Sequence, residues 1–449
     1  MATLPLLFGR TEPLRAEDSC TLAGRLTSRA TWALDDSSIN EDPSLSGRLA
    51  IDAQRGSWHL YSWLEGGWDG TVRGQSRNHA IVKGLGAVYQ DSTPYLEAKD
   101  LYAERTYGNV DARIGIQRFA WGRLDEYPVN DLFNPWDYRQ FLMRSLEERK
   151  IGVPAVSAAV NRLEWTAQLV WVPWLVPYRL PEADERWSLD SACVLFPDTS
   201  IASVTLREPG LPARELTNGS VGLRWQLLGE VEWALNLFHG FDPRPVFRTT
   251  ALNVIDTNQG LAIDPGFVPS FNKITSLGMD AAMVAGDWSL RAEAAYTVNR
   301  AFNVRQELWG YPQSIATGLT RLPPVEVIRD TFDYGIAGDY RLFEDAILTL
   351  QAQQSLILDR PDTLYERAVE TILWANLKTG WLNQKVETAV NLACNPEHGA
   401  SMVKGSVNYV INDAWKIGVI GLLLDGPPQS VFGRYSMNDQ VVLEAVYSW

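Results

Sequence analysis

The stretch that decides the fold is the last one, QVVLEAVYSW, residues 440–449. In an extended strand successive side chains point to opposite faces. Val441, Leu443, Ala445, Tyr447 and Trp449 then share one face, and Gln440, Val442, Glu444, Val446 and Ser448 the other. The first face is wholly apolar and ends in two aromatics. A segment of this length that is apolar on alternate residues crosses a membrane as a tilted strand of a closed barrel.

The same test succeeds at other points of the chain. Trp288, Leu290, Ala292, Ala294, Tyr296 and Val298 alternate with Ser289, Arg291, Glu293, Ala295 and Thr297. Val221, Leu223, Trp225 and Leu227 oppose Gly222, Arg224 and Gln226, while Ala346, Leu348, Leu350 and Ala352 oppose Thr349, Gln351, Gln353 and Ser355. Trp58, Leu60, Leu64 and Trp68 oppose His59, Tyr61, Trp63 and Glu65. A soluble sandwich strand also alternates, and one strand alone does not say which face meets lipid. Repetition of the polar face over many strands favours a wet lumen, with Arg113, Arg224, Arg291, Glu293 and Glu444 facing it. The run Arg113–Trp121 fits less well. With Ile114 and Ile116 toward lipid, Arg118 also points outward, which calls for a bulge or an early strand end.

Short polar breaks set the topology. They fall at Arg55-Gly56-Ser57, Gly108-Asn109, Leu163-Glu164, Gly229-Glu230, Gly286-Asp287, Glu344-Asp345, Asn383-Gln384 and Asn412-Asp413-Ala414. Each suits a hairpin turn, and longer Pro- and Asp-rich stretches lie between them, for example Val172–Glu215 and Asp242–Ser270. Short turns on one side and long loops on the other are the pattern of an all-β transmembrane antiparallel barrel of roughly 16 to 18 strands. Eight turns favour the larger number and put both ends on the periplasmic side. A barrel of that size keeps an aqueous channel. The expected organisation is an N-terminal tail over 1–20 and one barrel over 21–449, with Trp449 closing the sheet against the first strand near Leu22.

Composition agrees. The chain carries 18 Trp, 16 Tyr and 14 Phe, although its hydrophobic content is an ordinary 46%, and no apolar run is long enough for a helical span. Strands that show lipid with alternate residues keep hydropathy low, while aromatics gather in interfacial girdles. A soluble all-β enzyme with a Trp-rich sugar cleft is the competing explanation. The net charge of -14 excludes nucleic acid as a partner. It suits acidic extracellular loops beside lipopolysaccharide and outer-membrane lipid. Cys20, Cys193 and Cys394 form no metal or haem motif, so no cofactor is expected; Cys193 and Cys394 could pair under oxidising conditions. Met1–Ser19 is no convincing signal peptide, because Leu4–Phe8 is too short for its apolar core. Export needs one, so the expectation is a mature form with an added Met or a start further upstream.

The segment richest in chemistry runs from Arg113 to Pro154. Its interior is too polar to cross a membrane and falls in the third extracellular loop. Folded into the barrel over 121–152, it would narrow the pore with Arg123, Asp125, Glu126, Arg139, Arg144, Glu147, Glu148, Arg149 and Lys150. The plainer expectation is that these charges pair with one another and brace the wall; the two are compatible. Val170–Pro181, with Trp171, Trp174, Tyr178 and three prolines, reads as an interface anchor leading into a rigid loop, or else as an aromatic slide for solutes.

The runs GIQRFAWG (115–122), DLFNPWDY (131–138) and EERKIGVP (147–154) resemble a recurring motif of large Gram-negative outer-membrane porins. These are the uncharacterised relatives of alginate-export and steroid-transport type channels. VWVPWLVPYRLP (170–181) and FGRYSMNDQVVLEAVYSW (432–449) are similar too. The resemblance covers most of the chain beyond Leu22. It implies an outer-membrane barrel of roughly 18 strands, inserted by the barrel assembly machinery, that passes small or amphipathic molecules; the substrate is left open.

Three functions follow for testing. The first is a channel for small polar or amphipathic solutes. The second is a sheath around a periplasmic cytochrome, which would bring its own haems. The third is an outer-membrane hydrolase. No hydrolase motif occurs, and His59, His79, His239 and His398 have no metal spacing. No catalytic or metal residue is therefore expected, and the protein is not expected to be an enzyme.

Overall fold

The computed structural model describes residues 18–34, 44–69, 88–89, 95–181, 187, 205–206, 210–257, 260–304, 326–364, 366–428 and 430–449. Eighteen strands form the wall: β1 (Ser19–Ala33), β2 (Ser44–Arg55), β3 (Trp58–Asp69), β4 (Tyr95–Tyr107), β5 (Val110–Gln117), β6 (Val153–Asn161), β7 (Trp165–Val172), β8 (Ser220–Leu227) and β9 (Val231–Phe241). The second half continues with β10 (Lys273–Ala285), β11 (Trp288–Asn303), β12 (Glu326–Phe343), β13 (Ala346–Ile357), β14 (Val369–Trp381), β15 (Val386–Asn395), β16 (Ala400–Val410), β17 (Trp415–Asp425) and β18 (Gln440–Ser448). Each pairs antiparallel with its neighbours in sequence, and β18 pairs back onto β1 from Arg25↔Ser448 to Ala33↔Gln440. The sheet is a closed barrel.

All eight short turns lie where the polar breaks predicted them. Gly56, Gly108 and Gly286 take left-handed backbone there, as do Asn383 and Gln384. The tail expected over 1–20 lies outside the described residues up to 17, and the first strand begins at Ser19. The pairing proposed for Cys193 with Cys394 also lies outside them, because Cys193 is not described. The long connection expected over Asp242–Ser270 lies between two barrel strands, and within it Val246–Thr257 and Gly260–Ser270 form an antiparallel hairpin separate from the barrel sheet.

Outward residues in the middle of the strands are apolar and exposed. On β10 Leu277 and Met279 are exposed while Ser276 and Asp280 are buried, and on β12 Ile336 is exposed beside buried Ala337. That is the burial pattern of a barrel with lipid outside, the inverse of a sandwich strand. Trp58, Trp288 and Trp415 begin strands at the short turns, and Tyr107 and Trp381 end strands there, so the aromatic girdle of that interface is built into the strand ends. The terminus closes the ring. Gly24 and Trp449 exchange backbone hydrogen bonds of 3.1 Å, and the Trp449 indole lies over Gly24 where a Cβ would clash. The seam thus sits two residues from Leu22. The β5 misfit resolves by an early end at Gln117, after which Arg118 turns to bind Asp100.

Candidate functional site

The connection from β5 to β6, residues 118–152, folds into the barrel. Its first arm, 119–133, packs on β6–β12. Phe133 meets Trp121 edge-on at 4.8 Å and Phe238 at 5.0 Å, within an apolar cluster that includes Val153, Val170 and Ile274. Leu124 and Val129 pack on Ala295 and Ala337. Burial of these side chains supplies the bulk of the adhesion, at about 1.5–3 kcal/mol for each large one fully buried.

Polar contacts then fix the register. The buried carboxylate of Glu293 on β11 accepts hydrogen bonds from the backbone N–H of Arg123, of Leu124 (2.5 Å), of Val129 (2.9 Å) and of Asn130 (3.0 Å), and from Asn130 Nδ2 (3.2 Å). This approach needs Gly122, whose φ of +98° is left-handed and whose absent Cβ would lie 2.6 Å from Glu293 Oε1. Gly278 on β10 likewise leaves the space that Asn130 fills. Around this nest, Arg123 pairs with Asp280 (2.8 Å) and Glu232 (2.9 Å), and Asp280 also holds Arg224 (2.6 Å). Arg291 joins Asp125 (2.9 Å) to Asp339 (2.9 Å).

The second arm reaches the other side of the wall. Phe141 and Leu142 pack with Trp374, Met402, Leu422 and Tyr435. Lys404 on β16 donates to the carbonyls of Leu142 (2.8 Å) and Met143 (2.9 Å). A short helix, α1 (Leu146–Arg149), is capped by Ser145, with Glu148 completing the capping box. Glu148 faces Arg29 on β1 (3.7 Å) and Arg48 on β2 (3.6 Å); Arg29 also binds Glu444 (2.7 Å), and Arg144 approaches Glu65 (3.5 Å). In a ring of eighteen, β2 and β11 stand nine strands apart, on opposite sides. The loop therefore bridges the lumen between them.

At the neck, buried charges tie three segments together. Arg139 pairs with Asp137 (2.6 Å), Arg179 with Glu97 (2.7 Å) and Asp137 (3.5 Å), and Lys99 with Glu97 (3.2 Å). Arg149 binds Glu126 (2.5 Å), and Lys150 binds Asp131 and the Phe119 carbonyl. Burial opposes ionisation of Asp137, yet Arg139 and Arg179 hold its carboxyl well below the usual range. Burial likewise opposes ionisation of Glu148, but Arg29 and Arg144 with the Ser145 N–H bring it down to about 2. At Asp131 burial prevails over Lys150 and pushes the carboxyl up to about 6.

The charges named from sequence thus separate into two groups. Arg139 and Arg149 are buried within the loop and meet no open water, and Glu293 points inward but into the loop backbone. Glu147 is exposed, and Asp125 and Glu126 keep partly open carboxylates. Arg113 is inward on β5 and binds Glu104 nearer the short-turn end. Sequence reasoning placed Glu65 on the polar face of its strand but missed Arg29, Arg48, Asp280 and Lys404. Their signal was the same as that of Arg291, a charge on the inward parity of an alternating strand. The reading of Val170–Pro181 as an interface anchor is corrected at two residues: Trp174 packs on the cluster around Phe133, and Tyr178 lies 5.6 Å from Tyr138 of the loop, whereas Trp171 shares the outward parity of exposed Leu169. Bridges Trp136↔Lys150 and Asp137↔Arg179 add this segment to the loop as a further strand-like layer.

A family model described as "Protein of unknown function (DUF1302)" matches residues 44–377, most of the chain. No curated protein matches the sequence. Among solved structures, OccAB4 of Acinetobacter baumannii is similar over 98% of this chain and 100% of its own, with a TM-score of 0.53 and 8% identity. OccK1 (OpdK) of Pseudomonas aeruginosa is similar over 96% and 99%, with a TM-score of 0.50 and 10% identity. At such identity the likeness is one of fold. That fold is a closed antiparallel barrel of eighteen strands.

Proposed function

We propose that this chain, which belongs to the DUF1302 family of proteins of unknown function, is an outer-membrane channel for small polar or amphipathic solutes, narrowed by the loop 118–152. The observation that carries this is the bridge across the lumen, anchored on Glu293 at one side and on Arg29 and Arg48 at the other. A loop held at one side by a buried backbone nest and at the other by part-buried ion pairs keeps a fixed aperture, which a selective pore needs. Exposed Glu147 and the part-open carboxylates of Asp125 and Glu126 then face solutes, while paired Arg139, Arg144, Arg149 and Lys150 give the loop its shape.

This arrangement argues against a sheath. A lumen crossed by a packed loop has no room for a cytochrome unless the loop leaves, and that would strip the Glu293 carboxylate of five donors. On this proposal the protein is no enzyme, its surroundings are outer-membrane lipid and lipopolysaccharide, and the barrel assembly machinery inserts it. Kinship with alginate-export or steroid-transport type channels belongs to the same proposal and rests on the sequence motifs alone. Purified protein in planar bilayers should give discrete conductance steps. A silent bilayer, with folding confirmed by heat-modifiable migration, would refute the channel.

A further inference from the structure

On the short-turn side of the loop, the inner wall carries a row of aromatic and polar side chains that the bridge does not use. Tyr61 on β3 stands directly across from Tyr102 on β4, their ring centroids 5.5 Å apart and tilted by 35°. The row continues to Asp52 on β2, opposite Tyr61, and to Gly115 on β5, opposite Tyr102, which adds no side chain over the rings. One inward position nearer the turns, His59 meets Tyr102 edge-on at 6.1 Å and binds Asp52 at 2.9 Å. The Arg113 guanidinium lies 5.1 Å over Tyr102 and pairs with Glu104. The intervening Leu60, Leu101 and Ile114 are exposed on the lipid face, so this set faces the lumen. One inward position further from the turns, Trp63 and Asp100 lie under the loop, where Arg118 holds Asp100 at 2.5 Å. A solute leaving the loop toward the periplasm meets this row first.

We propose that the row is a binding platform for a neutral pyranose ring, a substrate class that rests on the channel reading above. Aromatic faces in a barrel ordinarily belong to the lipid interface; here two of them open inward and are part-exposed. Neither phenol hydroxyl has a hydrogen-bond partner among the described residues, and Asp52 keeps half its side-chain surface open. A sugar presents C–H groups on the face of its ring and hydroxyls at its edge. The face stacks on Tyr61 and Tyr102, and the edge reaches the two phenols, Asp52 and Arg113, a pattern of apolar surface with a few convergent polar groups. Arg113 pairs with Glu104 and His59 hydrogen-bonds Asp52, so each charge of the row is already engaged by a neighbour.

The test is isothermal titration of the purified full-length chain with maltose and cellobiose, in a zwitterionic detergent that carries no sugar headgroup. Saturable binding is expected, weakened about tenfold by Tyr61→Ala or Tyr102→Ala and by less than about threefold by Tyr61→Phe, which keeps the stacking face. Heat-modifiable migration confirms that each variant is folded. Absence of sugar binding, binding indifferent to both alanine variants, or tighter binding of benzoate or choline than of the sugars would overturn the proposal. The titration needs no ion flow. A silent bilayer would therefore remove the channel reading without deciding this one.

Discussion

Replacing Glu293 by alanine should release the first arm of the loop while leaving the barrel closed. Its carboxylate serves four backbone N–H groups and one side-chain amide of residues 123–130. A buried donor deprived of its acceptor costs about 1–3 kcal/mol, so four stranded amides set an upper bound of ~12 kcal/mol. Water entering the vacated space can serve some of them, which brings the expected destabilisation of the arm to about 3–5 kcal/mol. The apolar contacts of Phe133, Leu124 and Val129 stay in place and limit the release to local opening. Hydrogen exchange read by mass spectrometry measures that opening directly. At about 1.4 kcal/mol per factor of ten, peptides covering 122–131 should exchange a hundredfold to a few thousandfold faster than in the parent. Peptides from β11 should change little, because its ladder to β10 and β12 is untouched. Glu293→Gln should give a smaller effect in the same direction, since the amide retains one acceptor and turns a donor toward the nest. Exchange within tenfold of the parent in both variants would refute the anchoring role.

The other arm should respond separately. Lys404→Met removes two charge-assisted hydrogen bonds to Leu142 and Met143 and should loosen peptides over 140–146 by about 1.5–3 kcal/mol in exchange, with 122–131 unchanged; joint loosening of both arms would show a single unit instead. The pH dependence has a defined sign. Glu148 is held at about 2, below its ordinary 4.5, so its contribution is complete above pH 4.5 and fades as pH falls toward 2; α1 should lose exchange protection in that window, and a flat profile would contradict the pairing with Arg29 and Arg48. Asp131 runs the other way. Raised to about 6, it favours the loop below pH 3.8 and loses that contribution as pH rises through 6. On the outer wall, Leu350→Arg places a charge among exposed apolar residues of β13 and should cost about 2–4 kcal/mol of folding free energy in lipid vesicles; unchanged folding would place that face away from the hydrocarbon.

The alternation of Val441, Leu443, Ala445, Tyr447 and Trp449 was enough to predict a membrane strand, because side-chain direction in a strand depends only on residue parity. Turns such as Gly56 and Gly286 were legible for a similar reason, since left-handed backbone selects its residues locally. Strand number, topology and the terminal seam followed from counting these local signals. The seam itself depends on Trp449 lying over Gly24, a contact between the two ends of the chain.

Other features were decided by closure of the ring. The sequence showed that 118–152 is too polar to span a membrane and rich in both charges. It could not show that Glu293, some 160 residues further along, would sit beneath its backbone. Nor could it separate Arg149, buried on Glu126, from Glu147, open to water two residues earlier. Such partners lie far apart in the chain and are chosen by the strand order around the barrel. Their energies depend on burial that exists only once the loop is seated. Period-two alternation determined which residues face the lumen; the closed barrel decided which of them remain open to it.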